Sequence, residues 1–584
     1  NKTNDYGTSY NLYYLETRSG SGEHLYTPIE GADNSAFENT SFYLANSGKP
    51  VVNSSTSDIT GYLSRSMTRS DNYQMNFTAA YNRDFGLHSV GGLFSIEKSE
   101  SETEYLYGMV TNPYEFTTGQ SNSVDWNSTP STEFTRFESG NLSYIGRLNY
   151  SYDNKYLLEF LLRSDSSTKF APENYWGFFP SVSAGWVVSQ EEWFTKNVTW
   201  IDYLKLRASF GLTGRDNTTA WQWLQTYGTD KDKGPVFGTS TEANAGSHLA
   251  INRDAHWDKS YKGNLGLDFN VLDNRLSFNI DAYYEWNREM LLSYNASVPS
   301  TVGANSAKVN YGELNTYGIE LSATWRDKIG KDFKYKIQLN TGYSDNEILV
   351  RDWDQKPTYK SYKKGDRLDQ GIWGMQCIGM FRSYQDIDEY FAKYNITSYM
   401  GNVKEDVKPG MLIYKDVRGA RQDDGTYAGP DGVVSSEDDQ VRLSNRSNPY
   451  SMTMNLNAEW KGLSLTAQFN ASWGGYSFLP DDAISLGNQG TSANKYNDLE
   501  YANMPSFWTT DNMFVYNDVV DAAGNVVVKA NRNGKYPNLR WGSVNAVTSS
   551  FWRVSGTRVK LNRVTLAYRI PSKYTKMIGI ESCR

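Results

Sequence analysis

The sequence predicts an all-β protein, a transmembrane antiparallel β-barrel with long extracellular loops, on three observations. Apolar and polar residues alternate with period 2 along most of the 584-residue chain. The alternating stretches run about 9–13 residues, longer than the ~5–6 of ordinary strands and suited to the ~9–11 of a tilted membrane strand. The links between them are of two kinds, tight turns and long loops. From residue 142 onward the two kinds take turns, as in outer-membrane barrels.

Taken in order, Tyr73, Met75, Phe77, Ala79 and Tyr81 alternate with Gln74, Asn76, Thr78 and Ala80. Leu142, Tyr144, Gly146, Leu148 and Tyr150 form the next apolar phase, interleaved with Ser143, Ile145, Arg147 and Asn149. In 152–165, "YDNKYLLEFLLRSD", Tyr156, Leu158, Phe160 and Leu162 oppose Leu157, Glu159, Leu161 and Arg163. A wall between oil and a wet interior reads this way. The uncharged set is the lipid face, and Glu159 and Arg163 point into the lumen. Further strands follow over 204–213, 264–271, 276–287, 333–343, 452–460 and 463–471. The tight links are Asp153-Asn154, Asp273-Asn274, 327–332 and Lys461-Gly462; the long ones are 164–175, 214–260, 291–315, 346–448 and 474–549. The link 189–203 is a longer connection at the tight-turn end. The 346–448 loop has room for extra strands only in pairs. Tyr384–Tyr394 reads as one short surface helix, and no repeat of 20–50 residues is present.

Composition narrows the class. Aromatics make up 15% of the chain, with 43 Tyr and 17 Trp, and charged residues 21%. The mean hydropathy of -0.63 is that of a polar protein, as expected when only every second residue of a membrane strand is apolar. The net charge of -8 lacks the concentrated basic face that nucleic acid requires. Cys377 and Cys583 make no disulfide framework, and His24, His88, His248 and His256 form no metal-binding motif. No nucleophile elbow or phosphate-binding loop is present, so the sequence points away from an enzyme.

Several segments together resemble the SusC/RagA family of TonB-dependent outer-membrane transporters of Bacteroidetes. They are "KYLLEFLLRSDSSTKFAPENYWGFFPSVSAGWVVSQEEWF" (155–194), "LKLRASFGLTG" (204–214), "NLGLDFNVLDNRLSFNIDAYY" (264–284), "GELNTYGIELSATW" (312–325), "PGMLIYKDV" (409–417), "DGVVSSEDD" (431–439) and "VKLNRVTLAYRIP" (559–571). Order and spacing agree over roughly 140–584, while the first ~130 residues match in barrel style only. The resemblance implies that residues 1–584 belong to one barrel domain, an incomplete portion of a barrel of ~22 strands, of which about 14–17 are assignable here. It implies a plug domain before the barrel and further strands after it, because an open ring would leave two edges in lipid. It also implies import of a large glycan or peptide, energy supplied through TonB acting on the plug, a SusD-like lipoprotein lid, and room for a dimer of transporter–lipoprotein pairs. Two rivals stand beside it: a siderophore or cobalamin receptor, and a non-transport β-rich surface binding protein.

Candidate contact residues fall in the long loops. Trp221, Trp223 and Tyr227 offer faces for sugar rings or peptide side chains, and Trp373 near "GIWGMQCIGMF" does the same. Aromatic-belt or loop-core packing is the stronger reading for each one singly. In relatives the stretch corresponding to 415–439 often reads as a D-x-N-G-D-G calcium loop. Asp416 and Asp431-Gly432 match that pattern. Arg418 stands where an oxygen donor is wanted and residues 419–430 look inserted, so a solvated acidic loop is the stronger reading and Ca2+ the alternative.

Overall fold

A computed structural model describes residues 2–7, 62–111, 131–225, 251–294, 307–354, 356–444, 448–479 and 541–578, with short stretches between 227 and 247 and between 484 and 538. Fourteen strands form one antiparallel sheet in which each pairs with the next in sequence. They are β1 (Lys2–Gly7), β2 (Tyr62–Phe85), β3 (His88–Thr111), β4 (Ser131–Tyr152), β5 (Tyr156–Ser167), β6 (Trp176–Trp186) and β7 (Ile201–Arg215). The series continues with β8 (Asp258–Val271), β9 (Leu276–Ser293), β10 (Lys308–Ile329), β11 (Phe333–Val350), β12 (Tyr450–Trp460), β13 (Leu463–Trp473) and β14 (Arg558–Tyr568). Among the described residues the sheet is open, with β1 and β14 at its edges.

The register aligns the outward residues into a continuous band. Leu158 pairs with Ala184, Ala184 with Ala208, Ala208 with Leu265, Leu265 with Ala282, and Ala282 with Ile319. Leu339, Met454 and Phe469 extend the same face. From β3 to β13 no outward position of this band is charged; on β2 the row of Leu158 ends at Arg83, two residues from the turn. Aromatic rings bound it. Tyr152, Tyr156, Trp186, Phe278 and Trp325 lie toward the tight turns; Tyr144, Trp176, Tyr284, Tyr317 and Tyr343 lie toward the loops. Along β4, β6 and β10 the two girdles are about 8–10 residues apart, roughly 26–33 Å of strand at ~3.3 Å per residue. A tilt of ~40° reduces this to about 20–25 Å, close to the ~25 Å apolar band of outer-membrane barrels. The lipid face predicted on β5 is the exposed one, at 46%, 50%, 46% and 40% for Tyr156, Leu158, Phe160 and Leu162.

Tight turns share one rim. Asp153 and Asn154 both take positive φ, 52° and 54°, as a two-residue hairpin turn matched to strand twist demands. Asp153 donates to Leu87 O and Val187 to Lys155 O, linking neighbouring turns. The longer link at this rim contains the short helix Glu192–Asn197.

Two expectations change. Several strands are longer than the alternation suggested: β2 and β3 have 24 residues each and β4 and β10 have 22. Their outer halves extend past the loop-side girdle, where charges such as Arg69, Asp71, Glu100 and Glu102 break the alternation in the sequence. Beyond the end of β11 at Val350, the 346–448 loop contributes no further barrel strand among its described residues. With the described residues of 507–557 it folds into a compact cap around Phe381, Tyr399, Leu412, Tyr414, Phe514 and Trp552. The predicted helix is present at Tyr384–Tyr394. Ser383 and Asp386 form its capping box, Asn395 closes it at φ 52°, and Ile387, Tyr390 and Phe391 face the cap core.

Candidate functional site: the lumenal wall and the loops above it

Along the inner face of the sheet, charges gather on one side. Arg207 on β7 donates to Asp268 on β8 through Nε (2.8 Å) and Nη2 (2.9 Å), and to Asp281 on β9 through Nη1 and Nη2 (both 3.0 Å). Asn279 adds a bond to Asp268 at 2.8 Å. The guanidinium lies against Gly266, where an added Cβ would come within 2.5 Å of its carbon, so the cluster needs glycine there. Arg163 makes a second knot with Asp165 (2.7 Å), Glu97 (3.3 Å) and Ser143 (3.1 Å), on the lumenal side where the sequence placed it. These paired, geometrically fixed charges link β3–β5 in one knot and β7–β9 in the other.

On the other side, two rows of the inner face, between Glu320 and the Arg326–Lys336 pair, are neutral. Ser322, Asn340, Thr453 and Asn470 stand in register across β10–β13, and Thr324, Gln338, Asn455 and Gln468 form the next row. Ser322 donates to Asn340 at 2.8 Å, Gln468 to Asn455 at 3.1 Å and Thr466 to Asn457 at 3.1 Å. Neutral amides and hydroxyls both give and take hydrogen bonds, so this wall can exchange partners with a passing solute.

The predicted aromatic residues fall into two groups. Trp221 and Trp223 meet at 6.0 Å, both half-buried. Trp221 Nε1 donates to Glu138 O at 3.0 Å and Trp223 Nε1 approaches Thr168 O at 3.4 Å. Arg253 lies 5.3 Å from the Trp223 ring and pairs with Glu173 at 2.9 Å. Close by, Phe170, Phe179 and Trp257 form a small core. Both indoles thus tie the loops to β4 and to the segment after β5. Tyr227 opens a short strand paired to Ser247; its side chain lies outside the described residues. Trp373 packs edge-on against Tyr359 at 5.5 Å, with Arg442 at 5.4 Å from its ring. No ring contact or hydrogen bond among the described residues joins Trp373 to the Trp221–Trp223 pair.

The acidic loop is bonded to itself. Asp416 Oδ2 accepts from Gly432 N at 2.8 Å, and Asp431 Oδ1 from Val433 N at 2.9 Å. The fully buried Asp439 accepts from Val417 N (2.6 Å), Arg418 N (3.1 Å) and Ser435 N (2.9 Å). Arg418 donates to the carbonyls of Asp438 (2.7 Å) and Gln440 (2.6 Å), with its guanidinium 4.0 Å from the centre of the Tyr359 ring. Burial pushes the Asp416 carboxyl above its usual range. The Gly432 N–H draws it back, while the charges of Asp439 and Asp431 push it further up. Burial raises Asp439 as well, against three backbone N–H bonds. This donor set suits Ca2+ poorly: Asp416 and Asp431 each give one oxygen and Asp439 both to backbone N–H groups, and a guanidinium spans the loop. Among the described residues no group of three or more His, Cys, Asp or Glu is arranged to hold a metal ion.

No model of a protein family matches the chain. The TonB-dependent receptor SusC of Bacteroides thetaiotaomicron is 32% identical over 231 residues, 39% of this chain and 23% of its own length. The TonB-dependent receptor P3 of Formosa agariphila is 24% identical over 539 residues, 90% of this chain and 47% of its own. The RagAB peptide importer in its "closed-closed" state superposes with a TM-score of 0.62 at 20% identity, over 89% of this chain and 51% of that one. The chain is SusC/RagA-like. It therefore belongs to the bacterial outer membrane, and the matched stretches cover less than half of each of these two curated relatives.

In this SusC/RagA-like barrel, sequence reasoning missed the Arg207–Asp268–Asp281 cluster and the neutral rows of β10–β13. The polar-phase residues were visible, but neither the register between strands nor the neighbours it creates could be read from one chain. The cap core was missed as well. The only local signal for it was the helix Tyr384–Tyr394, whose capping residues and i, i+3, i+4 apolar spacing are local.

Proposed function

We propose that residues 1–584 belong to the barrel of a TonB-dependent importer that carries a large nutrient, a glycan or an oligopeptide, across the outer membrane. The observation that carries this reading is an uncharged lipid face backed by a polar inner wall, with a folded cap at the long-loop end. The likeness to SusC and to the RagAB peptide importer supports it. In this reading a SusD-like surface lipoprotein closes over the loop end. TonB supplies the work through the plug domain that the resemblance implies, and two transporter–lipoprotein pairs assemble as a dimer. The chain acts by transport, not by catalysis.

The experiment is a deletion strain complemented with the full-length gene and grown on single polymeric nutrients. Growth on one nutrient is expected to require both the gene and TonB, and a surface lipoprotein is expected to co-purify with the detergent-extracted protein. Equal growth with and without the gene on every nutrient overturns the reading. Consistent absence of the lipoprotein removes the partner.

A further inference from the structure

The wall around these neutral rows contains a recess of about 660 Å3, lined by Asn279, Glu320, Ser322, Asn340, Ser451 and Thr453 and edged by Asp281. We infer that it holds a segment of an uncharged, hydroxyl-rich chain in transit and discriminates against the anionic form of the same chain. The inference rests on the import reading above and deepens it.

Three features carry it. The amides and hydroxyls of the recess donate and accept in equal measure, as sugar hydroxyls do. Tyr283 reaches across Gly318: a Cβ there would come within 2.6 Å of its phenol oxygen and 2.8 Å of its Cζ. Glycine at 318 thus lets an aromatic side chain lie along the sheet within an otherwise polar recess. Glu320 is exposed and makes no ion pair or hydrogen bond among the described residues, whereas its neighbour Asp281 is clamped by Arg207 at 3.0 Å. A free carboxylate only accepts. It suits hydroxyl donors and repels an anion.

A peptide is the less favoured cargo for this recess. Extended peptides are recognised by adding a strand to a free sheet edge or by inserting side chains into apolar pockets. Here the strands are already paired on both sides over the recess, and most of the side chains that line it are polar.

The test uses the full-length protein in detergent. The probes are β-1,4-linked hexamers of glucose and of mannose, their uronic-acid counterparts, and a Ser-Gly hexapeptide. A neutral hexamer is expected to bind at least ~10-fold more tightly than its uronate, the equivalent of about 1.4 kcal/mol. Combining Ser322→Ala with Asn340→Ala is expected to weaken the neutral hexamer about 10-fold. Glu320→Gln is expected to leave it within about threefold while narrowing the gap to the uronate. Heat-modifiable gel mobility checks that each variant remains folded. Equal binding of uronate and neutral hexamer overturns the inference. So does an unchanged affinity in the folded double variant, binding of the peptide alone, or no hexamer binding at all. Cellular uptake separates the two claims. TonB-dependent uptake that persists unaltered in the double variant removes this recess and leaves import standing. Uptake independent of the gene removes import itself.

Discussion

In the lipid-facing wall, Leu158, Leu265 and Leu566 turn 50%, 67% and 67% of their surface outward; in the cap, Phe381, Tyr399 and Leu412 expose none. The same residue types are placed by opposite rules because the two regions meet different solvents. The wall satisfies its backbone groups in an unbroken antiparallel ladder and leaves its side chains to lipid. The cap stands above the bilayer and must bury its own core. Its polar atoms are then satisfied one at a time. Asn545 accepts from Leu412 N and donates to Gly410 O and Asn538 O, and Tyr414 donates to Val544 O. The two regions are therefore expected to fail separately.

The largest effect belongs to the cap. Trp552 is buried beside Tyr536, Trp508 and Phe551, and its Nε1 donates to Asn545 O at 2.6 Å. Trp552→Ala is expected to cost the cap about 3–5 kcal/mol. Hydrogen exchange over 375–414 should speed up, while the heat-modifiable gel band of the barrel is kept. Loss of that band together with cap protection would make wall and cap one cooperative unit.

The wall should answer to a different change. Phe160→Arg puts a cation midway between the two girdles and is expected to cost about 2–4 kcal/mol, read by urea unfolding in liposomes. Ser183→Arg, on the inner face of the adjacent strand β6 and in register with Glu159, should stay within about 0.5 kcal/mol. Equal costs at the two sites would contradict the assignment of faces. Cap exchange rates should not move in either variant.

The difference between wall and cap also explains what a single sequence reveals. The wall is written locally: Tyr156, Leu158, Phe160 and Leu162 declare their face within seven residues, and Asp153-Asn154 declares the turn before them. The cap is assembled from Met375, Leu412, Phe514, Val544 and Trp552, which share no period and lie far apart in the chain. The candidate site had both kinds of signal. Arg163 was placed in the lumen by alternation alone, whereas its partner Glu97 comes from a strand 66 positions away in sequence. In the acidic loop a cation pattern stood as the alternative to a solvated loop because carboxylate spacing is visible, whereas the backbone N–H groups that bond one oxygen each of Asp416 and Asp431 are not.

Acidity distinguishes the regions more gently. Burial holds Asp416 and Asp439 above the ordinary carboxylate value of ~3.9. The folded cap therefore keeps protons that the unfolded chain has already lost. That contribution is full below the unfolded value and is lost as pH rises through the raised native one. Cap stability from these two groups should fall as pH is brought from about 4 toward neutrality. Asp416 Oδ1 has no partner, so Asp416→Asn should flatten the slope and stabilise the cap at neutral pH by about 1 kcal/mol. Melting of cap exchange protection against pH measures it. A slope unchanged by the substitution would assign the effect to Asp439.

The smallest effect is the one both regions share. Asn154 in the wall turn and Asn395 at the end of the cap helix both take left-handed backbone, at φ 54° and 52°. Asparagine tolerates that geometry through its short polar side chain, and alanine does not, so Asn→Ala at either site is expected to cost up to about 1 kcal/mol. Glycine removes the steric cost but adds freedom to the unfolded chain, so Asn→Gly should stay within about 0.5 kcal/mol of the parent at both. Urea midpoints for the wall and exchange rates for the cap would show it. A clear loss in Asn154→Gly without one in Asn395→Gly would mean that the wall turn uses the asparagine side chain itself, in addition to the backbone it permits.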